Sequence, residues 1–288
     1  MKLYKRKYNL IILILAIITG ITACEKDVIL DLASIEGNYV IVEANLIDDG
    51  SRQWIRLTRS SSYYDVTTGD AVQNASVIVQ GNNQSWTFSE LFPDSLPGYY
   101  FNSQISSALI ETTYELNIET ADDKTYFAQS ELRPLPELDS VTVKLNPFSE
   151  LAFFDITVYD VIAHFEDLPG IGDYYLFNLF INNKLITPRP SDKSPVSDEN
   201  LESYSSLAVL SLNEEDIAPG DTITLEIRSI SKEKFDFYNI FFFQTDLSGN
   251  PFAGAPPANI PTNLSEGARG FFQVSALNRK TIIFQPPL

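Results

Sequence analysis

The sequence predicts a mainly β protein with two β-sandwich-like domains, the first immunoglobulin-like and the second carrying one aromatic helix and a proline-rich loop. Three observations support this prediction. Short runs of alternating apolar and polar residues recur along the 288-residue chain, as in strands with one buried face. Turn residues separate these runs at the spacing typical of sandwiches. The segment 134–137 contains two prolines, which cannot donate ladder hydrogen bonds, and therefore marks a domain boundary.

The first domain is predicted at residues 35–133. Val40, Val42 and Ala44 alternate with more polar neighbours, and the turn Asp48-Asp49-Gly50 follows the strand. Further strands are predicted at 54–59, 76–80, 85–88, 98–101, 113–119 and 125–132. These strands are about as many as an immunoglobulin-like sandwich requires. We therefore expect residues 35–133 to fold without strands from beyond the linker.

The second domain is predicted at residues 138–288. Its strands are expected at 140–145, 153–165, 174–181 and 222–229, and a last pair at 270–276 and 280–284 closes the domain. The run 174–181 is apolar on both faces, which indicates a central strand. The polar stretch 188–206 has the composition of a mobile surface loop.

An aromatic segment between two of these strands has two interpretations. Ser231 can cap a helix with Glu233 in its first turn, and Phe235, Tyr238 and Phe242 recur at helical spacing until the sequence Ser248-Gly249-Asn250. The phenylalanines of the same segment also fit a period of two, so a strand remains an alternative.

The first 23 residues resemble an export signal. Four basic residues precede an apolar run at 10–18 that is too short to span a bilayer, and small residues come before Cys24. The sequence Ile21-Thr22-Ala23-Cys24 resembles a bacterial lipobox, which implies cleavage before Cys24 and acylation of its thiol. Residues 24–34 then form a lipid-anchored tether. The alternative is an ordinary signal peptide followed by a spare thiol.

Charge and cysteine content exclude several classes of partner. The formal net charge is −18, and removal of the four basic residues of the signal from the total of 20 leaves 16 basic and 38 acidic residues. Such a charge repels phosphate backbones, so nucleic acid is not an expected partner. Cys24 is the single cysteine, so its acylation excludes disulfides and thiolate metal sites.

Three separated motifs carry a resemblance to a known family. They are Cys24-Glu25-Lys26-Asp27 followed by Ile29-Leu30-Asp31-Leu32, then Ser229-Ile230-Ser231-Lys232, then Pro256-Pro257-Ala258-Asn259-Ile260-Pro261-Thr262-Asn263 with Gly267 and Gly270. In order and spacing the chain resembles the outer-membrane lipoproteins of Bacteroidota known as domain of unknown function 4249, typically encoded beside SusC-like TonB-dependent receptors. The resemblance implies a location in the outer membrane and a transporter as a neighbour. It transfers no catalytic residue.

Enzyme chemistry has little support in the sequence. His164 is the sole histidine, lies in an apolar strand and has no Gly-x-Ser-x-Gly motif to accompany it, so we interpret it as a partly buried structural residue. Zinc catalysis lacks its usual His and Cys ligands. The pairs Asp48-Asp49 and Asp122-Asp123 could bind calcium but are more typical of hairpin turns. We expect no cofactor and no metal.

Two regions are candidates for binding a partner. The first is a set of aromatic residues in the first domain, namely Trp54, Tyr63, Tyr64, Trp86, Tyr99 and Tyr100, of which the loop 60–65 is the part expected to be exposed. The second is the segment 251–267, with candidate contacts Asn259, Ile260, Pro261 and Asn263. Long ordered loops are often functional, although covering a sheet edge is the alternative that we favour for this segment.

Together with this resemblance, the sequence predicts a non-enzymatic lipoprotein of the cell envelope, anchored in the outer membrane by its N-terminal lipid. The role that the resemblance implies is that of an accessory subunit, for ligand capture or assembly, of a TonB-dependent transporter of the SusC type. A small-molecule ligand is compatible with this role. The alternatives are a surface adhesion or scaffold protein and a carboxylate-dependent hydrolase.

Overall fold

The computed structural model describes residues 39–61, 69–103, 105, 110–150, 157–193, 195–201, 204–245 and 259–286. These residues lie in one of the two compact units into which the chain divides, 37–61 with 65–288. They form sixteen strands and one α-helix: β1 Val40–Ile47, β2 Gln53–Arg59, β3 Ser76–Gly81, β4 Gln84–Phe88, β5 Tyr99–Asn102, β6 Thr113–Glu119, β7 Thr125–Glu131, β8 Leu138–Leu145, β9 Val158–Glu166, β10 Tyr174–Ile181, β11 Lys184–Leu185, β12 Pro195–Ser197, β13 Tyr204–Asn213, β14 Thr222–Ile230, α1 Lys232–Thr245, β15 Ala268–Ser275 and β16 Leu277–Ile283.

The first sandwich consists of two four-stranded sheets. Their strand orders are β15-β1-β2-β5 and β4-β3-β6-β7. Alternation along each strand sends one set of side chains inward, as predicted, and Val40, Val42 and Ala44 are fully buried in the shared core. The predicted mainly β, sandwich-like fold is therefore confirmed.

Strand β15 belongs to the first sandwich, which corrects the prediction that it helps to close the second. It pairs in parallel with β1, from Val40 opposite Ala268 to Ile47 opposite Ser275. Residues 264–274 supply four core side chains of this sandwich: Leu264, Ala268, Phe272 and Val274. The sequence alternation identifies a strand but does not reveal its partner. The sandwich consequently depends on residues far outside the segment 35–133.

The second sandwich has the strand orders β13-β9-β8 and β11-β10-β14-β16, and β12 also pairs with β10. The central position predicted for the run 174–181 is confirmed, since β10 has neighbours on both sides. The turn after it has positive φ at Asn182 and Asn183, as a tight hairpin requires. The first sandwich ends its own run of strands with β7, and the second begins with β8.

The aromatic segment is a helix, which decides between the two interpretations of its sequence. The Ser231 hydroxyl accepts a hydrogen bond from the Lys234 amide at 3.1 Å, so the predicted cap forms. Tyr238 packs with Tyr174, Leu176 and Ile230 on the outward face of β10 and β14. The expected helix end at Ser248-Gly249-Asn250 lies outside the described residues.

The stretch 188–206 is more structured than its composition predicts. It contains two 3-10 turns, Pro190–Asp192 and Asp198–Asn200, with the strand β12 between them. Asp198 is buried, and its carboxylate accepts a hydrogen bond from the Gly172 amide at 2.9 Å. Polar composition predicted a loop, but hydrogen bonds to neighbouring elements order it.

In the described residues, no helix is long and apolar enough to cross a membrane.

Candidate functional site

A groove of about 390 Å³ lies between the outward faces of two sheets, one from each sandwich. Glu43 and Gln273 line one wall, because their neighbours in β1 and β15 point into the first core. Asn178 and Arg228 line the opposite wall, formed by β10 and β14. The helix α1 and the turn at 188–193 border the groove. Its volume is in the range of small-molecule sites.

A buried carboxylate anchors the charges on the second wall. Glu226 has no exposed surface and accepts hydrogen bonds from Asn178 Nδ2 and Arg279 Nε, both at 2.8 Å, and from Arg228 Nε. Burial alone would raise the pKa of Glu226, but the Arg228 charge and these hydrogen bonds outweigh it and lower the pKa. Glu226 is therefore ionised and holds Arg228 in place beside the groove.

Lys193 reaches the same wall from the turn before β12. Its Nζ atom donates a hydrogen bond to Asn178 Oδ1 at 2.6 Å, so Asn178 links it to Glu226. Burial and the nearby Arg228 charge lower the pKa of Lys193 to about 8, against an opposing effect of Glu226. The groove therefore has a second cation, held by a neutral partner.

Lys234 is the most unusual side chain of the groove. It is only 4% exposed, and its Nζ atom lies over the rings of Phe237 at 4.6 Å, Tyr238 at 4.9 Å and Phe271 at 4.6 Å. In the described part of the chain, no oxygen accepts a hydrogen bond from this Nζ atom. Buried lysines normally have such a partner. Burial lowers the pKa of Lys234 to about 7, with Glu43 opposing and Lys193 adding to the effect.

An aromatic strip runs from the groove across the first sandwich. We use this name for Trp54, Tyr99, Phe101 and Phe92, whose successive ring centroids lie 5.5, 6.2 and 5.7 Å apart. Trp54 lines the groove and is 39% exposed. Arg56 lies over the Tyr99 ring and pairs with Glu43 at 3.0 Å. An apolar surface is therefore continuous with the charged groove.

The groove thus combines four cationic side chains, Arg52, Lys193, Arg228 and Lys234, with an apolar margin. Arg228 is compensated by Glu226, and Glu43 is compensated by Arg56, whereas Lys193 and Lys234 have no carboxylate within salt-bridge distance in the described residues. An anionic group that entered here would find donors already held in position, and its apolar remainder would meet Trp54.

The segment predicted as a partner contact covers a sheet edge in its described part. Ser265 N donates to Phe127 O at 2.8 Å, and Leu264 forms a bridge with Ala128 of the edge strand β7. Asn263 Nδ2 donates to the carbonyl oxygens of Gln129 and Phe272, and Asn263 Oδ1 accepts from Phe272 N. This is the structural role that we favoured for the segment.

The remaining residues predicted as partner contacts differ in exposure. Asn259 is exposed, whereas Ile260 and Pro261 are half-buried. Their role as a partner contact stays a prediction. Tyr63, Tyr64 and Cys24, the predicted lipidation site, lie outside the described residues, as does the segment 251–258.

Of the predicted aromatic cluster, two members lie on the surface strip and two pack inward. Trp54 and Tyr99 belong to the strip, while Trp86 packs against the first core. Tyr100 is buried, donates to Val72 O at 2.8 Å and accepts from Ala75 N at 2.9 Å. Burial raises the pKa of Tyr100 to about 12. Tyr99 and Tyr100 are neighbours on β5 and point to opposite faces, which explains why one is on the surface strip and the other is buried.

His164 is half-buried on the outward face of the sheet β13-β9-β8, in agreement with the structural interpretation. Its Nε2 atom lies 2.8 Å from Thr142 Oγ1, and its Nδ1 atom lies 2.8 Å from Ser206 Oγ. Among the described residues, no group of three or more His, Cys, Asp and Glu side chains could hold a metal ion.

Sequence reasoning missed Lys193, Arg228 and Lys234. One signal was present for β14, where Glu226 and Arg228 stand two residues apart on the face opposite to Leu225 and Ile227. Charged residues on one face of a strand that is followed by an apolar helix indicate that the helix covers a polar surface of the sheet. No sequence signal placed Lys193 beside them, because its position depends on the turn at 190–192.

The architecture defines a class of tandem β-sandwich proteins with a cation-lined groove between the sandwiches. The chain belongs to the family described as Domain of unknown function (DUF4249), whose model matches residues 25–281. No curated protein matches the chain. A solved structure titled "Cytokine receptor complex - Crystal form 1A" aligns with 68% of this chain and 86% of its own at 13% identity and a TM-score of 0.25, a likeness too low to carry an inference.

Proposed function

We propose that this protein is a non-enzymatic lipoprotein of the outer membrane that captures a ligand in the groove as an accessory subunit of a SusC-like TonB-dependent transporter. The observation that carries ligand capture is Lys234, a cation almost completely buried beside a groove with no hydrogen-bond acceptor for its Nζ atom among the described residues. Keeping such a charge out of water is costly, and a ligand anion would offset that cost.

Anchoring and partnership are supported by sequence features. The lipobox-like residues before Cys24 support acylation, and the family resemblance supports a neighbouring TonB-dependent receptor in a Bacteroidota envelope. The acidic net charge of −18 makes the cationic groove a local exception on the molecule. A concave site with a charge opposite to that of its surroundings favours binding of a specific anion.

Fractionation and affinity capture test this proposal together. We expect the tagged protein, extracted from native membranes with mild detergent, to co-purify with a TonB-dependent transporter. Cys24→Ser removes the thiol that takes the lipid, and we expect this variant to leave the membrane fraction, because stable anchoring needs acyl chains. A variant that stays in the membrane as fully as the parent contradicts the lipid anchor. Capture without any transporter contradicts the accessory role.

A surface adhesion or scaffold role is the second candidate, and the aromatic strip is the observation that favours it. Phe92 is 42% exposed and continues the ring contacts away from the groove. Clustered exposed aromatic residues are typical of protein contact surfaces. Phe92→Ser should abolish partner capture in this role and leave it unchanged if the partner contacts another surface.

A further inference from the structure

The groove contains two lysines, Lys193 and Lys234, that do not pair with any carboxylate of the described residues. Lys234 and Lys193 act on each other electrostatically, and both line the groove. Glu43, the carboxylate on the opposite wall, forms its ion pair with Arg56 at 3.0 Å. Glu226 is fully used by Arg228, Arg279 and Asn178. The two lysines therefore lack the counterion that buried ammonium groups normally have.

The apolar part of the groove lies next to these cations. Leu176 and Ile230 of the second wall pack with Tyr238, and Trp54 lines the groove with its ring partly exposed. Phe180 and Leu185 add further apolar lining. A ligand that fills this volume would present an apolar body to one part and an anionic head to the other.

We propose that the groove binds a small monocarboxylate, whose carboxylate group pairs with Lys234 and Lys193 beside Arg228, and whose apolar body contacts Trp54. This inference rests on the proposed ligand capture and names the chemical class of the ligand. A single negative charge fits better than a phosphate dianion, because the charge of Glu43, although paired with Arg56, already acts on Lys234 from the opposite wall and reduces the attraction for a second negative charge.

Calorimetric titration of the mature lipoprotein in detergent at pH 6.5 tests the site. The probes are 3-phenylpropionate, its neutral amide, acetate and inorganic phosphate. We expect 3-phenylpropionate to bind, and its amide to bind at least about tenfold more weakly, since the charge-assisted hydrogen bonds are lost. Phosphate should bind more weakly than the carboxylate. If phosphate binds more tightly, or if the amide binds as well as the acid, the monocarboxylate assignment is overturned.

Two substitutions on the same helix separate the site from its surroundings. Lys234→Met keeps an apolar chain among the three rings, and we expect it to weaken 3-phenylpropionate by about tenfold or more. Lys232→Met is the matched control: Lys232 is largely exposed, pairs with Asp236 and does not line the groove. Both variants are first checked for a cooperative thermal transition. Equal affinities of the parent and Lys234→Met overturn the proposal.

A second pair of measurements tests the apolar contact and the proton balance. Trp54→Ala should weaken 3-phenylpropionate and leave acetate unchanged. At pH 8, carboxylate binding should take up protons, seen as an enthalpy that differs between buffers, because the bound anion favours protonated Lys234 and Lys193. Binding without proton uptake overturns the pairing with these lysines.

Transporter capture separates the carboxylate site from the accessory role. If Lys234→Met still captures the transporter but no longer binds the carboxylate, both proposals stand. If the parent protein captures no transporter, only the accessory role is overturned.

Discussion

At the residue scale, the side-chain amide of Asn263, which the sequence predicts as a partner contact, forms hydrogen bonds within the fold instead. Asn263 makes three hydrogen bonds to backbone atoms of Gln129 and Phe272, and so joins β7 to β15. Asn259 lies four residues earlier and is exposed. The sequence alone could not separate the two, because both are asparagines in the same proline-rich segment and their exposure depends on tertiary packing.

These two asparagines should respond differently to substitution. Asn263→Ala removes the hydrogen-bond partner of two carbonyl oxygens and one backbone amide, and we expect a loss of about 1–3 kcal/mol in the free energy of unfolding. Asn259→Ala should change that free energy by less than about 0.5 kcal/mol. Urea denaturation of both variants measures the difference. Equal stabilities would contradict the bracing role of Asn263.

Lys234 gives the stability a specific pH dependence. Its ordinary pKa of 10.5 falls to about 7 in the folded protein, so the unfolded chain binds more protons between these values. Stability contributed by this group therefore rises with pH from about 7 to 10.5, and the full cost of the buried charge is present below pH 7.

Lys234→Met should consequently stabilise the protein most at low pH. We expect a gain of about 1–4 kcal/mol at pH 6, since an apolar side chain replaces a buried charge, and a smaller gain at pH 9. Lys232→Met, which removes an exposed charge, should show no such change between the two pH values. Thermal melts of the three proteins at both pH values measure this. A gain that is the same at pH 6 and pH 9 would refute the lowered pKa.

At the element scale, most strands and the helix could be predicted, whereas strand partners could not. The periodicity of β1, β2 and β10 and the cap at Ser231 are local properties, and local patterns show them. The pairing of β15 with β1 joins residues at opposite ends of the described chain. The groove could not be predicted for the same reason, because its walls come from strands whose proximity no local sequence pattern shows.

Gly270 is a local trace of that distant pairing. Its φ is +100°, and a Cβ atom there would lie 2.1 Å from the Val42 carbonyl oxygen. Glycine therefore permits the close approach of β15 to β1.

Gly270→Ala should destabilise the protein more than a matched change elsewhere. Gly220 has a similar φ of +95° with no atom within 4 Å of the added Cβ. We expect Gly220→Ala to cost about 1–3 kcal/mol for backbone strain alone, and Gly270→Ala to cost clearly more, because the strand must also shift. Denaturant titrations compare the two. A smaller loss at Gly270 would mean that β15 can move away from β1 freely.

At the scale of the whole molecule, the first sandwich is discontinuous in sequence. Its core needs Leu264, Ala268, Phe272 and Val274 in addition to the residues before the linker. The expectation that 35–133 folds alone does not agree with this arrangement, because the fragment leaves β1 without a neighbour on one side and the core partly open.

We therefore expect the fragment 35–133 to lack a cooperative thermal transition. Addition of a synthetic peptide of residues 259–276 should restore one, since the peptide supplies both the edge strand and the four core side chains. A peptide with Phe272 and Val274 replaced by serine is the control and should fail. Circular dichroism melts measure the outcome, and a cooperative melt of the fragment without peptide would show that β15 is dispensable.

The parallel pair of β15 and β1 also sets an order of events during folding. Val40 of β1 pairs with Ala268 of β15, and strands β8 to β14 of the second sandwich lie between them in sequence. Until the two strands meet, β1 exposes an unpaired edge on the side opposite to β2, and contacts so distant in sequence form slowly. A chain truncated before residue 268 would carry a defect in the sheet that contains β1. Completion of that sheet thus depends on a segment that follows most strands of the second sandwich.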